Sequence, residues 1–307
     1  MVSRPVLSRA VPPTRDGVSA SQVALPASGW DTVVAFLSDR FPAIPAQQWV
    51  ARMQRGEVFD QEGCVVPADA RFCPHAKLFY YRTVAAEVPI PFPEAVLFQD
   101  AYIVVADKPH FLPVTPSGAY LQETLLVRLR RRLGIDHLSP LHRIDRDTAG
   151  LVLFCIDPAA RGKYQALFRE RAVKKQYEAI APWRHDLAMP CMRRSRLIES
   201  ATFMQMAEVP GTPNAETAIS IIERRDGFAR YRLAPLTGQK HQLRIHMAAL
   251  GIGIVNDRLY PILQPAPPVG QVADYRYPLQ LLARELSFRD PLTGASRHFE
   301  SRLSLHL

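Results

Sequence analysis

What this chain lacks already narrows its chemistry. Only four of its 307 residues are cysteine (Cys64, Cys73, Cys155 and Cys191), with no C-x-x-C pair and no histidine at zinc-finger spacing. That argues against a disulfide framework and a structural zinc, so no metal is expected and reduced cytosolic thiols fit best. There is no G-x-G-x-x-G and no G-x-x-x-x-G-K-[ST], which removes the usual grounds for a dinucleotide or nucleoside triphosphate cofactor. No apolar run reaches the ~18 residues of a membrane span, and no continuous apolar signal segment opens the chain. The expectation is a cytoplasmic monomer with no membrane partner. Neither an internal repeat nor a low-complexity segment is present.

Apolar residues make up 48% of the chain, enough for a sizeable core. Lys and Arg total 38 against 29 Asp and Glu, a net charge of +9 and a pI near 9.6. That balance favours a polyanionic partner. Residues 1–28, rich in Pro, Ser and Ala, read as an irregular tail. Residues 29–88 read as a small unit. It has a helix over Trp30–Phe41 with Asp31 as N-cap, a second over Ala46–Arg55 closed by Gly56, a hairpin, and a strand over 79–84. The Pro-rich stretch 89–93 reads as a stiff connector, and 94–307 as a large second domain.

Within that domain strands are expected at 96–100, 102–106, 151–156, 174–180, 280–288 and 297–305. Helices are expected at 124–133 and 159–171. The runs 217–223 and 228–234 alternate across Asp226-Gly227 and predict a hairpin. Thr237 to Gly251 reads as a turn and helix with a dense polar face. Residues 184–216 resist assignment. Strands that do not alternate regularly with helices predict an α+β fold, with a mixed, largely antiparallel sheet flanked by helices.

The densest polar block is Leu141-His142-Arg143-Ile144-Asp145-Arg146-Asp147-Thr148-Ala149-Gly150, which runs straight into the apolar run from Leu151. Charges beside a buried strand are costly unless paired or used. An acid held there is a candidate for chemistry, although a structural ion pair is an equal reading of the local pattern. A carboxylate-pair hydrolase using Asp145 and Asp147 is disfavoured, because residues i and i+2 of an extended stretch point to opposite faces.

His142-Arg143-Ile144-Asp145 followed by Asp147-Thr148-Ala149-Gly150-Leu151 resembles the H-R-L-D-x-x-T-S-G-L signature of the RluA-type RNA pseudouridine synthases. Three further stretches resemble the family in its order. They are Asp107-Lys108-Pro109 with Leu112-Pro113-Val114, then Lys175-Gln176-Tyr177, then Leu236-Thr237-Gly238-Gln239-Lys240-His241-Gln242-Leu243-Arg244-Ile245-His246 with Gly253 to Asp257. The likeness spans roughly 96–305. Ile144, Ala149, Gln239, Lys240 and Asn256 depart from the pattern, and 184–216 have no counterpart in it.

The resemblance implies the pseudouridine synthase catalytic fold and isomerisation of specific uridines in structured RNA, ribosomal or transfer, without any cofactor. A non-catalytic RNA-binding protein of the same fold is the alternative. It implies Asp145 as the catalytic carboxylate, Arg244 as its cationic partner and Tyr177 against the uracil, as a base or as a stacking group. Arg143 is the expected filler of the space left by a flipped base. His142, Lys108, Lys175, Gln242 and His246 are expected at the RNA, and Arg128 and Arg131, with the segment 193–196, at its phosphates. The small N-terminal unit weakly resembles the alpha-L RNA-binding module, whose helix pair and following G-x-V turn (here Gly56-Glu57-Val58) face RNA.

Overall fold

The computed structural model describes residues 12–84, 87–202, 204–265 and 274–306. The first eleven residues of the expected tail therefore lie outside the described residues. The chain divides into two units, Met1–Glu87 and Val88–Leu307.

In the first unit β1 (Ser21–Ala24), α1 (Val33–Arg40), α2 (Ala46–Gln54), β2 (Val58–Phe59) and β3 (Lys77–Tyr80) follow in order, and the sheet runs β1-β3-β2. The tail reading missed β1, which pairs antiparallel with β3 from Ser21 opposite Tyr80. Its four residues are too short and too polar to stand out from a Pro- and Ser-rich background. Helix α1 is capped by Thr32, whose side chain accepts from the Ala35 amide at 3.1 Å, and not by Asp31. The Asp31 carbonyl instead accepts from the Phe72 amide, so the chain is still extended there. Gly56, at φ +66°, closes α2 as expected. Trp49, Phe36, Leu37 and Tyr80 fill the core. The helix pair carries Arg40, Arg52 and Arg55; Arg52 is buried over Trp49 and Arg55 pairs with Glu57, so the basic face thins to Arg40.

The second unit holds β4 (Ala95–Gln99), β5 (Ile103–Lys108), α3 (Leu125–Leu133), β6 (Ser139–Pro140), β7 (Ala149–Cys155), α4 (Arg161–Arg169) and β8 (Lys174–Pro182). It continues with β9 (Cys191–Glu199), β10 (Met206–Val209), β11 (Ala215–Arg225), β12 (Phe228–Pro235), α5 (Gln242–Ala249), β13 (Leu281–Arg289) and β14 (Ser296–Glu300). One sheet runs β10-β9-β11-β12-β8-β13-β7-β5-β4, with β14 against β13 and β6 against β7. Among the described pairings only β13–β7 is parallel, so the sheet is mixed and largely antiparallel. The unassigned stretch 184–216 contains β9, β10 and the start of β11. Its outward Met192, Arg194, Arg196 and Ile198 hid the short inward alternation of Ser195 and Leu197. The β11–β12 turn has Asp226 at φ +50° and Gly227 at φ +81°, a two-residue hairpin turn of the type that Asp-Gly favours.

Alternate residues of β5 and β7 face opposite sides. Val104, Ala106, Val152 and Phe154 meet Leu125 and Leu129 of α3, while Ile103, Val105, Leu151 and Leu153 meet Tyr164 of α4. Leu243 and Met247 of α5 pack on β8, β11 and β12. Tyr177 of β8 packs against both the α3 and the α5 clusters, which puts these two helices on one face. The parallel joint is tight. At Gly150, φ +107°, a Cβ would stand 2.3 Å from the Ala283 carbonyl oxygen, so only glycine lets β7 approach β13 there. Among the described residues no helix is long and apolar enough to cross a membrane.

Candidate active site

The loop between β6 and β7 carries the polar block, and its shape is set by β5. Lys108, fully buried at the end of β5, donates to the carbonyls of Pro109 and Arg146, both at 2.9 Å. The Asp147 carbonyl lies 2.7 Å from His110 Nδ1, and the Thr148 amide donates back to the Asp145 carbonyl. Asp147 turns to Arg146 (3.0 Å), not to Arg143. Only Asp145 of the two acids faces the adjoining cleft of about 490 Å³. The carboxylate-pair reading therefore has no geometry behind it. Arg143, Lys175, Tyr177, His241 and Arg244 line the same cleft.

Arg244 joins two carboxylates. Its Nη1 donates to Asp145 Oδ2 at 3.2 Å, while Nε and Nη2 clamp Asp257 at 2.8 and 2.6 Å. The Arg244 and Asp257 side chains are 2% and 1% exposed. Burial alone would loosen the guanidinium proton, but the bonds and charge of Asp257, with the charge of Asp145, outweigh it and hold the proton more firmly than usual. Asp257 also accepts from the Leu259 and Tyr260 amides, which ties the following turn to the same carboxylate. Burial, and then the charge of Asp145, push the Tyr177 phenol well above its ordinary value.

Helix α5 starts at Gln242, five residues after Thr237, where the expected turn and helix begin. Gln242 Oε1 accepts from the Thr237 hydroxyl (2.7 Å) and the Gln239 amide (3.0 Å), and Nε2 donates to the Glu216 carbonyl and Thr217. These bonds fold 237–241 into a loop, with His241 left-handed at φ +55°. His246 is fully buried between Ser195 and Thr217, 3.0 Å from each hydroxyl.

The expected RNA contacts accordingly divide. Arg143 is exposed at the cleft, with no ion pair among the described residues, and Lys175 lines it while donating to the Thr237 carbonyl. His142 and Gln242 border the cleft but use their polar atoms internally; His142 Nε2 accepts from the Leu153 amide and its ring stacks on Phe168. Lys108 and His246 are fully buried and brace the site instead of meeting RNA. Arg128 binds the carbonyls of Ile90 and Phe92 and the carboxylates of Glu94 and Glu123, so it fastens the chain before β4 to α3. Arg131 is exposed but does not line the cleft. Arg193 and Arg194 pair with Glu208 and Glu216. Sequence reasoning passed over His241, Asp257 and Tyr260. The first two sat inside the quoted motifs; Tyr260 gave no signal, because its proximity is purely tertiary.

The two buried imidazoles predict a pH dependence. Burial, with Lys175 adding to it, lowers His142 from 6.5 to about 3, and burial lowers His246 to about 4. Both are neutral in the fold and would protonate on unfolding. Their stabilisation is therefore complete above pH 6.5 and is lost as pH falls towards 4, at roughly 1.4 kcal/mol per pH unit for each ring. Lys108, lowered by burial from 10.5 to about 7, acts in the same direction at higher pH, its own contribution rising from pH 7 towards 10.5. Denaturant titrations at pH 7, 6 and 5 should show the acid loss, and replacing His246 by Asn should flatten the slope.

Residues 102–249 match the RNA pseudouridylate synthase family. A relative from Pasteurella multocida, dual-specificity RNA pseudouridine synthase RluA, is 31% identical over 212 residues, covering 66% of this chain and 90% of the relative. The Escherichia coli K12 protein of the same name is 32% identical over 216 residues, covering 67% and 91%. Among solved structures, human RNA pseudouridylate synthase domain containing 4 superposes with a TM-score of 0.53 at 25% identity, over 68% of this chain and 88% of that one. Human domain containing 1 (TM-score 0.56, 21% identity, 70% and 86%) shares the fold. The chain belongs to the RluA-type RNA pseudouridine synthases. It is an isomerase that converts uridine in RNA to pseudouridine.

Proposed function

We propose that Asp145 is the carboxylate on which the isomerisation turns, and that its substrates are particular uridines in ribosomal or transfer RNA. The reaction breaks the bond from N1 to C1′ and makes one from C5 to C1′; one proton leaves C5 and one is gained at N1. Nothing is oxidised or hydrolysed. The observation that carries the reading is the 3.2 Å contact from Arg244 Nη1 to Asp145 Oδ2 in an open cleft. It gives a solvent-reachable anion a rigid counter-charge, itself anchored on Asp257. Tyr177 serves as a wall for the uracil ring and not as the base for C5, since its raised pKa keeps the phenol protonated at neutral pH.

The uridine must leave its stack to reach Asp145, and exposed Arg143 beside it is the group we assign to the vacated space. Phosphate contacts are better placed around Arg143, Lys175, Arg171 and Arg169, which border the cleft (Arg169 is paired only with its exposed neighbour Glu170), than on α3 or β9, whose arginines are largely held by less exposed carboxylates. The N-terminal unit is an accessory RNA contact in this reading, supported by its alpha-L-like helix pair and limited by its thin basic surface. The dual specificity of the named relatives supports more than one RNA target.

Pseudouridine mapping of total RNA from a strain lacking this protein should reveal a small set of missing sites in ribosomal or transfer RNA, restored by the wild-type chain. Binding to such an RNA should weaken steeply with salt. Loss of Arg169 and Arg171 together should flatten that slope more than loss of Arg131. An unchanged map, or affinity flat with salt, contradicts the target assignment or the electrostatic one respectively.

A further inference from the structure

Asp145 has a second neighbour that its sequence surroundings do not supply. His241 Nε2 stands 3.8 Å from Asp145 Oδ1, on the oxygen that Arg244 leaves free. Its other nitrogen, Nδ1, is 2.9 Å from the hydroxyl of Tyr260. That hydroxyl is already an acceptor, for the Met206 amide of β10 at 2.7 Å. Tyr260 is 6% exposed and the His241 side chain 9%.

These contacts determine the tautomer. A phenol has one proton to donate. If His241 carried its proton on Nδ1 and donated to Tyr260, the phenolic proton would be left without an acceptor in the interior, which is costly. If Tyr260 donates to Nδ1, every group is satisfied and the imidazole proton sits on Nε2, aimed at Asp145. Burial holds the ring neutral by lowering its pKa, with Arg244 and Lys240 adding to that and Asp145 and Asp257 opposing it.

We propose that His241, set by Tyr260 as the Nε2–H tautomer, is a positioning residue for Asp145. This rests on the assignment of Asp145 above. Arg244 holds Oδ2 from one side and His241 guards Oδ1 from the other, so the carboxylate has one orientation towards the substrate. At 3.8 Å the N–H···O contact is too long for a hydrogen bond in the free enzyme, and closure on RNA would shorten it. The left-handed backbone at His241 places the ring there, because a helical residue at that position would carry its side chain along α5. The neutral ring matters as well. An imidazolium would place a second full cation on the carboxylate and dull it as a nucleophile or base.

The test uses the full chain and has two independent readouts. In protein labelled with 15N-histidine, long-range proton–nitrogen correlations should show His241 neutral and protonated on Nε2, with the signal assigned by its loss in a His241 variant. Tyr260→Phe should abolish the tautomer preference. On a mapped RNA substrate, His241→Leu should lower kcat about 10–100-fold with KM little changed, the scale expected for a misplaced reacting group. His241→Gln should recover much of that loss, because its amide can donate to Oδ1. Gln and Leu meet the same backbone strain at φ +55°, so their difference isolates the donor. A Nδ1–H tautomer in the wild type, or equal kcat for Gln and Leu, overturns the proposal. Should Asp145→Asn remain active, the assignment of Asp145 fails instead, while the tautomer measurement still reads the His241–Tyr260 contact.

Discussion

Asp145→Asn should reduce release of tritium from C5-labelled uridine in RNA by at least ~10³-fold, the upper range for losing a positioned acid–base group and a floor for losing a nucleophile. The substitution keeps the shape of the side chain and a hydrogen-bond acceptor for Arg244. The fold should therefore persist, and RNA should still bind. Asp147→Ala should retain most activity, because Asp147 faces Arg146 and not the cleft. The two variants share a loop and differ by two positions, so their contrast separates chemistry from loop structure. Equal tritium release from wild type and Asp145→Asn would remove Asp145 from the mechanism.

Asp257→Ala should be the most damaging substitution for stability around the site, at about 3–5 kcal/mol, because it leaves one buried ion without its partner. Of its two carboxylates Arg244 would keep only Asp145, and the amides of Leu259 and Tyr260 would lose their acceptor. The denaturation midpoint should fall with little change in m-value, and kcat should drop even at temperatures where the variant is folded. Asp257→Asn should lie between, since an amide oxygen can still cap the turn. A variant with wild-type stability and normal kcat would show that Asp257 does not anchor Arg244. Asp257 meets Arg244 from only 13 residues away, and Asp145 from 99. The nearer acid holds the arginine, and the arginine orients the farther one.

Legibility in the sequence followed physical strength of signal. The apolar runs of β5 and β7 and the Leu-rich face of α3 were readable because burial on one or both faces leaves little choice of residue. The Asp226-Gly227 hairpin was readable because few residues accept positive φ. The β9–β10 region was not, since an antiparallel strand with an outward face of arginines looks like a charged loop. The order of turn and helix at α5 was readable but not the length of the turn, because Thr237, Gln239 and Gln242 fold a loop through side-chain bonds that no periodicity encodes. Buried polar residues were the main source of misassigned roles. Lys108, Arg128, Gln242 and His246 read as RNA contacts because charged and amide side chains are usually exposed. Here they satisfy backbone carbonyls, hydroxyls and carboxylates: Lys108 and Gln242 shape the loops around Asp145, Arg128 ties the chain before β4 to α3, and His246 ties α5 to β9 and β11.

From sequence alone came the α+β class, the lack of any cofactor motif, the basic balance and the four ordered motifs that single out Asp145, Tyr177 and Arg244. Composition and period sufficed for the first three, and the resemblance of the ordered motifs to the family for the last, because residue type, period and order are properties of the chain itself. Only the tertiary structure decided which of the charges face the cleft, that Asp257 anchors Arg244, and that His241 lies between Tyr260 and Asp145. Those contacts join β5, the β6–β7 loop, α5 and the turn after it. Their distances are set by sheet pairing and by the glycine-tight joint of β7 with β13, and no spacing along the chain contains that information.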